Sequence, residues 1–480
     1  MPICQLSATE LAKRIRAKDL SAREVVSAHL DRIARINPGV NAIVTLVADQ
    51  AMECARVADE ALARGEAVGP LHGLPIAHKD LQITKGIRTT FGSPIYRDFI
   101  PAEDSLLVER IRQAGAILVG KTNTPEFGAG SQTFNPVFGA TRNPYDTTRT
   151  CGGSSGGGAV ALACGMLPLA DGSDMGGSLR NPASFCGVVG LRPSAGRVPT
   201  WPARLGWSPL SVDGPMARSV SDVALFLSAI AGPDPRSPLA LGESGGGFAG
   251  SLDRDVWGIR VAWWKDLGGL PFDPAVTQVV NAQRALFESL GCIVEEAEPD
   301  FAGADEAFKT LRAVAFAAGY RELAATHRSQ LKDTILWELE RAERITANDI
   351  AEAEVMRTEL YHRVRRFFER HDFFVLPTVQ VPPFDVNQPY PTVVAGVPMT
   401  SYIDWMKSCY YISIVGNPAI SVPCGFTPDG LPIGLQIVAR HQDEWGLLQI
   451  AHAFEQAADL RDGSGLAQRR NLLVAESGLA

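Results

Sequence analysis

The chain has 480 residues, of which 46% are hydrophobic and 20% are charged, and its net charge is −8. This composition is typical of a large globular protein, and the acidic balance argues against binding of nucleic acid or an anionic membrane. The eight cysteines are scattered without a CxxC pair, so we expect reduced thiols in a cytoplasmic protein and neither a zinc site nor a disulfide framework. The N-terminus has no apolar segment of the kind found in signal peptides.

The first predicted elements are two helices that begin at capping boxes. Ser7 is followed three residues later by Glu10, and Ser21 is followed in the same way by Glu24. This spacing is typical of helix N-termini, where the two side chains satisfy free backbone N–H groups. The second helix is expected to stop at residues 37–39, because they read Asn-Pro-Gly.

Strands and helices then alternate along the chain. Residues 74–78 and 116–119 are predicted strands, and the helix between them is expected to be capped by Asp104. Residues 257–264 are a further predicted strand, and Asp273 is expected to cap the helix that follows. This alternation predicts an α/β fold in which helices cover both faces of a sheet.

The alternation is interrupted at about residues 303–400. The first part of this excursion is charge-rich and helical, and its last part is rich in proline. Segments of this kind usually lie beside the core and carry substrate-specific features, so we expect this one to shape the substrate site. Because the chain has no repeat and no long linker, one domain over residues 1–480 is expected.

A glycine- and serine-rich segment, residues 151–183, carries the strongest functional signal. Its two clusters are Gly152–Gly158 and Asp174–Ser178. Such glycine density indicates backbone that approaches another group closely. The segment is open to interpretation as a structural turn, a phosphate-binding loop or a nucleophile site. For a phosphate-binding loop, it has neither a GxxxxGK[ST] motif nor a GxGxxG motif that opens a helix after a strand. Its uncharged first part could span a bilayer in length, but the glycine content favours a buried segment.

A nucleophile within the first cluster is one alternative. Residues 152–156 match the GxSxG elbow of α/β-hydrolases, which would make Ser154 the nucleophile of an esterase. That mechanism requires a histidine further along the chain, and none of the downstream histidines lies in a recognisable motif.

The order of the motifs resembles the amidase signature family. The resemblance spans roughly residues 5–460 and is weakest between about 235 and 370. The motifs that carry it are Leu71–Pro75 with Lys79-Asp80, Gly120–Asn123 with Glu126-Phe127, Gly139–Pro144, the GGSSGG cluster, Asp174–Ala183, Gly190–Pro193, Gly196–Val198, Gly214–Arg218 and Gly416–Pro423.

The resemblance implies a single large α/β domain with a mixed central sheet, and it implies a Ser-Ser-Lys triad. Lys79 matches the family's catalytic lysine, Ser154 its bridging serine and Ser178 its nucleophile, and the two serines lie 24 residues apart as in the family. It further implies an oxyanion hole built from the N–H groups of Met175, Gly176, Gly177 and Ser178, and a cis peptide bond before Ser154. Met175 replaces the threonine that is common in the family.

The triad explains how an amide can be cleaved without a metal ion or cofactor. Burial disfavours the charged form of a lysine, so a buried Lys79 can act as a base near neutral pH. It would draw a proton from Ser178 through Ser154, and an acyl-enzyme would follow.

Other polar residues near these motifs are expected to be structural. Asp174 and Arg180 flank the nucleophile and are predicted to hold the glycine turn. His72 and His78 are predicted to pack or to cap, and Cys151 and Cys186 to be small buried residues.

The substrate site is predicted from an aromatic segment, residues 401–411. In the family the corresponding region helps to line the substrate site. Tyr402, Trp405, Met406 and Tyr410 are therefore candidates for an apolar pocket, with core packing as an equal alternative. The expected partner is a small-molecule amide, anilide or carbamate, and the expected state is a monomer or homodimer.

Two other functions stay open. One is a glutamine-hydrolysing amidotransferase subunit, which also resembles this family. The other is a non-catalytic binding module that retains the fold.

Overall fold

An eight-stranded sheet forms the centre of the molecule. The computed structural model describes residues 1–458. Its strands are β1 Ile43–Leu46, β2 Pro75–Lys79, β3 Ile117–Thr122, β4 Phe134–Asn135, β5 Gly139–Ala140, β6 Leu169–Asp174, β7 Val189–Arg192, β8 Val212–Ala217, β9 Arg260–Trp263, β10 Ile293–Glu296, β11 Phe373–Pro377, β12 Val393–Val394, β13 Val397–Pro398, β14 Ala419–Phe426 and β15 Pro432–Ala439.

Helices surround this sheet and connect its strands. The α-helices of the described residues are α1 Ala8–Ala17, α2 Ala22–Val40, α3 Ala48–Ala63, α4 Leu106–Gln113, α5 Gly156–Ala163, α6 Arg180–Cys186, α7 Val220–Ile230, α8 Pro274–Asn281, α9 Arg284–Ser289, α10 Ala304–His327, α11 Asp333–Ala342, α12 Ala347–Phe367, α13 Lys407–Val415 and α14 Glu444–Ala457.

The central sheet is mixed, which confirms the predicted fold class. Its strand order is β10-β9-β11-β15-β14-β7-β8-β6. The pairs β10/β9 and β9/β11 are parallel, and the remaining neighbours are antiparallel. All eight residues of β15 are buried, and α6, α8 and α14 pack against β14 and β15. A strand buried on both faces is expected to be almost continuously apolar, and in β15 the exception is Gln436, which is also buried.

Two of the predicted strands belong to a second, smaller sheet. Strands β2 and β3 pair in parallel, and β1 pairs with β3 in antiparallel orientation. All five residues of β2 are buried, and the strand packs beside β6 of the central sheet. This contact places Lys79, the last residue of β2, next to the end of β6.

The helix starts follow the capping signals with two exceptions. Ser21 and Glu24 form a complete capping box, whereas Ser7 accepts only from the Glu10 N–H. The Glu10 carboxylate accepts instead from Arg14 Nε at 2.6 Å, which leaves the box half formed. Helix α4 is capped by the Ser105 hydroxyl, not by the neighbouring Asp104 as predicted.

The second helix is longer than predicted. Helix α2 continues through Pro38 to Val40 and ends at Asn41, which has a left-handed φ of 52°. Pro38 lies in the last turn, so the helix lacks one i→i−4 hydrogen bond there, and the Asn41 N–H closes the turn on the Asn37 carbonyl at 2.8 Å. A later helix also differs from its prediction, because the single helix predicted to begin at Asp273 is divided into α8 and α9.

The excursion at 303–400 is helical in its first part, as predicted, and consists of α10, α11 and α12 followed by β11 and irregular chain. None of the helices within residues 1–458 has the length and apolar content that a membrane span requires.

Candidate active site

The three predicted triad residues come from separate segments of the chain and lie close together in the structure. Lys79 ends β2, Ser154 lies just before α5, and Ser178 lies in the turn between β6 and α6. Lys79 is 0% exposed, Ser154 is 2% exposed and Ser178 is 8% exposed, so the exposed fraction rises along the triad. The three residues thus run from the interior towards the surface.

The Lys79 amine is surrounded by serine hydroxyls. Its Nζ lies 2.8 Å from Ser154 Oγ, 2.9 Å from Ser155 Oγ and 3.0 Å from Ser173 Oγ. A neutral amine has two N–H donors and one lone pair, so two of these hydroxyls can accept from it while the third donates to it. This environment offers three hydrogen bonds to an uncharged amine, and within residues 1–458 no carboxylate forms an ion pair with Lys79 Nζ. The Lys79 backbone N–H donates to Asp171 Oδ2 at 3.2 Å.

Burial lowers the pKa of Lys79 to about 7, against the smaller opposing effects of Asp213, Asp174 and Asp171. The cause is desolvation, which penalises an ammonium group far from water. A lysine with this pKa is substantially neutral at physiological pH and can accept a proton.

The segment around Ser154 is held by a chain of hydrogen bonds. The Gly153–Ser154 peptide bond is cis. The Gly153 carbonyl accepts from Ser131 Oγ at 2.7 Å, and Ser131 Oγ accepts from Asn181 Nδ2 at 2.9 Å. The Ser155 N–H donates to the Ser178 carbonyl at 3.2 Å. These bonds tie the loop that carries Ser154 to the turn that carries Ser178.

The turn before Ser178 is built around a buried ion pair. Asp174 accepts from the Gly177 N–H at 2.8 Å, and its carboxylate also contacts Arg180 Nη2 at 3.0 Å and Arg192 Nη1 at 3.2 Å. Burial alone would raise the pKa of Asp174, but the two guanidinium groups outweigh it and hold the pKa below its usual range. Asp174 and Arg180 therefore have the structural part that the sequence predicted for them.

Glycine is required at position 177. Its φ is +120°, and a Cβ there would lie 2.7 Å from both Asn181 Nδ2 and Cys409 Cβ. Because the Gly177 N–H is engaged by Asp174, the remaining predicted donors for an oxyanion are those of Met175, Gly176 and Ser178. These three residues line the same cavity as Ser154.

That cavity has a volume of about 230 Å³ and is partly aromatic. Its large side chains come from the segments that follow β2, β3 and β6, from helix α10 and from the segment before α13. They are Leu81, Phe127, Met175, Arg312, Phe316, Tyr320, Ile403 and Met406. The rings of Phe127 and Tyr320 contact each other, with centroids 4.7 Å apart. Such a wall suits an apolar or aromatic group next to the polar triad.

Only Met406 of the four predicted substrate residues lines this cavity. Trp405 is 1% exposed and stacks on Phe185, and Tyr410 stacks on Phe308 with ring centroids 4.3 Å apart. Tyr402 is 5% exposed, and its hydroxyl donates to Glu338 Oε1 at 2.7 Å. For these three the placement favours core packing, the alternative that the sequence left open.

Arg312 is a cavity residue that the sequence analysis missed. Its Nε contacts Glu338 at 2.7 Å, its Nη2 donates to the Tyr402 hydroxyl at 2.7 Å, and its Nη1 lies 3.1 Å from Met175 Sδ. It lies in the segment where the family resemblance is weakest, so no motif identified it. Ser155 and Ser173 were also missed, although Ser155 is part of the GGSSGG cluster.

The histidines and cysteines near the triad are engaged elsewhere. His78 Nδ1 lies 2.9 Å from Asp171 Oδ1, and His72 Nε2 lies 3.1 Å from the Ala58 carbonyl. Burial raises the pKa of the Cys151 thiol to about 12, which disfavours a thiolate nucleophile. Cys186 is likewise fully buried. Within residues 1–458, no group of three or more His, Cys, Asp or Glu side chains is arranged to hold a metal ion.

Comparison with known proteins matches nearly the whole chain to one family. The Amidase family model matches residues 24–448. An acylamidase from Rhodococcus erythropolis is 37% identical, covering 94% of this chain and 95% of the relative. A glutamyl-tRNA(Gln) amidotransferase subunit from Synechococcus sp. (strain CC9605) is 39% identical, covering 93% of this chain and 95% of the relative.

A solved structure matches the fold over nearly its whole length. The crystal structure of a bacterial aryl acylamidase of the amidase signature family superposes with a TM-score of 0.91 at 28% identity, covering 98% of this chain and 99% of that chain. The chain therefore belongs to the Amidase family and is an amide-hydrolysing enzyme of the amidase signature type.

Proposed function

We propose that this protein is a serine hydrolase that cleaves aryl or alkyl amides, anilides or carbamates through an acyl-enzyme on Ser178, working as a monomer or homodimer in the cytoplasm. The observation that carries the proposal is the position of Lys79. Its fully buried Nζ lies 2.8 Å from Ser154 Oγ, at a cavity that Ser154 and Ser178 line together.

In the proposed mechanism Ser178 Oγ attacks the carbonyl carbon of the amide. Its proton passes to Ser154 Oγ as the Ser154 proton passes to neutral Lys79. The N–H groups of Met175, Gly176 and Ser178 stabilise the negative oxygen of the tetrahedral intermediate. The relay then runs in reverse and protonates the leaving nitrogen as the C–N bond breaks. Water attacks the resulting ester by the same route and releases the acid.

The cavity lining supports a substrate with an apolar group. Phe127, Phe316 and Tyr320 offer ring surfaces within reach of the triad, and Met406 adds a flexible apolar contact. Two of these rings belong to α10, so we propose that the excursion at 303–400 shapes the substrate site. The similarity to an acylamidase and to an aryl acylamidase agrees with this substrate class.

Glutamine hydrolysis within an amidotransferase is the second candidate, because a relative with 39% identity is an amidotransferase subunit. Glutamine carries a carboxylate and an ammonium group, whereas most of the larger side chains that line the catalytic cavity are apolar. Arg312, the one cationic side chain that lines it within residues 1–458, is already paired with Glu338 at 2.7 Å. The cavity therefore favours the uncharged amide.

The purified chain should hydrolyse an acyl p-nitroanilide without any partner protein, with kcat/KM at least about tenfold above that for glutamine. The measurement is nitroaniline release compared with ammonia release from glutamine under the same conditions. Glutamine turnover that exceeds anilide turnover would assign the chain to the amidotransferase alternative. Inactivity of the folded chain on anilides, carbamates and glutamine alike would favour the binding module.

The pH profile of kcat/KM should report the titration of Lys79. Because the neutral amine is the base and burial lowers its pKa to about 7, kcat/KM should rise about tenfold per unit below pH 7 and level off above it. The measurement is the rate on an uncharged anilide between pH 5 and pH 10. A rise that continues to the ordinary lysine pKa of ~10.4 would contradict a neutral resting lysine.

A further inference from the structure

A second chamber adjoins the catalytic cavity. This side chamber has a volume of about 220 Å³ and is lined mainly by residues 195–213 and by α10. Four residues border both spaces: Met175, Ser211, Ala315 and Gly319. Part of a substrate that extends past Met175 would therefore enter the side chamber while its amide stays at Ser178.

The side chamber contains a buried carboxylate, Asp213, which is 6% exposed. The carboxylate accepts from Gln82 Nε2 at 2.9 Å and from Thr200 Oγ1 at 3.3 Å. Within residues 1–458, no lysine, arginine or histidine forms an ion pair with it. Two neutral donors leave part of the acceptor capacity of a carboxylate unused.

Asp213 lies one strand away from the triad. It pairs with Ser173 across β8 and β6, and directly paired residues of antiparallel strands place their side chains on the same face, with Cβ atoms about 5 Å apart. Ser173 Oγ in turn lies 3.0 Å from Lys79 Nζ. A group held by Asp213 would therefore lie close to the reacting atoms.

At the start of the proposed reaction, no cation among the described residues balances the negative charge of Asp213. Buried charges in proteins are normally paired, and the ammonium form of Lys79 is the cation whose charge acts on Asp213. The proposed mechanism requires Lys79 to be neutral at that stage. Arg204 at the rim is engaged by Glu322 at 2.7 Å. Once Lys79 is neutral, the side chamber attracts a positive group.

We infer that the side chamber is a substrate subsite that binds a primary ammonium group on the carboxylate of Asp213. The hydroxyls of Thr200, Ser208 and Ser211 border the same space and can accept the remaining N–H bonds. The inference rests on the proposed amide hydrolysis, because the subsite holds one end of a substrate whose amide is at Ser178. It extends the substrate class to amides that carry an amino group.

Burial and the neighbouring Asp171 raise the pKa of Asp213 to about 6, against the opposing effect of Lys79. Above pH 7 the carboxylate is charged while Lys79 is largely neutral, so both conditions for binding and catalysis hold together.

The test compares substrates that differ only by a terminal amino group. One series consists of ω-aminoacyl and acyl p-nitroanilides, and the other of N-(ω-aminoalkyl) and N-alkyl 4-nitrobenzamides, each with two to six methylenes. At pH 8.5, the amino member of at least one pair should have a kcat/KM at least tenfold higher, mainly through a lower KM. In the Asp213→Asn variant, kcat/KM for that amino substrate should fall by a factor at least ten times larger than kcat/KM for the substrate of the same pair that lacks the amino group.

Two further variants test whether the carboxylate of Asp213 is responsible for the preference for amino substrates. Ser211→Lys places a cation between the two spaces and should reduce the amino preference at least tenfold with Asp213 intact, which keeps the test valid if Asp213→Asn does not fold. Asp222→Asn, a buried aspartate of α7 bonded to Thr9, should keep the preference.

The outcomes separate the two proposals. Absence of an amino preference in every pair, or equal losses on both members in Asp213→Asn, would overturn the subsite and leave amide hydrolysis standing. Equal losses would mean that Asp213 acts only through Lys79. Failure of the wild-type chain to hydrolyse any amide would overturn the proposed function and the subsite with it.

Discussion

Ser178→Ala should reduce amide turnover by at least about a thousandfold, because it removes the only atom that forms the acyl-enzyme. The change deletes one hydroxyl from a residue that is 8% exposed, so the fold should be retained. The measurement combines nitroaniline release with labelling by a fluorophosphonate, which attacks activated serines. Mass spectrometry of the labelled wild type should place the adduct on Ser178, and the variant should remain unlabelled.

The control for this experiment is Ser228→Ala. Ser228 lies in α7, outside both cavities, and its hydroxyl donates to the Leu225 carbonyl at 2.7 Å. Its replacement should leave turnover and labelling unchanged. An adduct on Ser154 in the wild type would support the GxSxG elbow and would refute the assignment of Ser178. That elbow needs a histidine base, and within residues 1–458 no histidine lines the catalytic cavity.

Lys79→Ala should affect amides far more than activated esters. The variant lacks both the base and the proton source for the leaving amine. A p-nitrophenolate leaves without protonation, whereas an amine does not, so the anilide should lose at least about a hundredfold more activity than the p-nitrophenyl ester of the same acyl group. The measurement is kcat/KM for both substrates in the wild type and the variant between pH 6 and pH 10.

Lys79→Arg should not restore either activity, because a guanidinium group stays protonated at these pH values and cannot accept a proton. The matched control is Lys121→Met. Lys121 is also fully buried, and its Nζ donates to Thr84 Oγ1 at 2.9 Å and Thr89 Oγ1 at 3.1 Å, apart from the triad. That variant should be less stable but should keep the wild-type ratio of amide to ester activity.

Equal losses on amide and ester in Lys79→Ala would mean that Lys79 only holds the site together. Near-wild-type amide hydrolysis by Lys79→Arg would exclude Lys79 as the base.

The family and the fold class could be predicted from the sequence because they depend on local demands of the backbone. Gly177 has a φ of +120° and touches Asn181, so a side chain there is excluded and the glycine is visible in the sequence as part of a motif. The order and spacing of such motifs allowed Lys79, Ser154 and Ser178 to be identified from the sequence. Most strands of the central sheet, such as β7 and β11, were not predicted, since β7 pairs with β14 and β11 pairs with β15, segments that are distant in the chain.

The sequence by itself thus determined the family, the α/β fold class and the residues of the proposed triad. Only the tertiary structure decided what surrounds them. It buried Lys79 among three serines, placed Arg312 and the rings of α10 in the cavity wall, withdrew Trp405 and Tyr410 into the core, and set Asp213 beside Ser173. These features depend on which side chains meet across β2, β6, β8 and α10. Such contacts between segments distant in the chain leave no periodicity or motif in a single sequence, because burial and pKa are set by the whole packed environment.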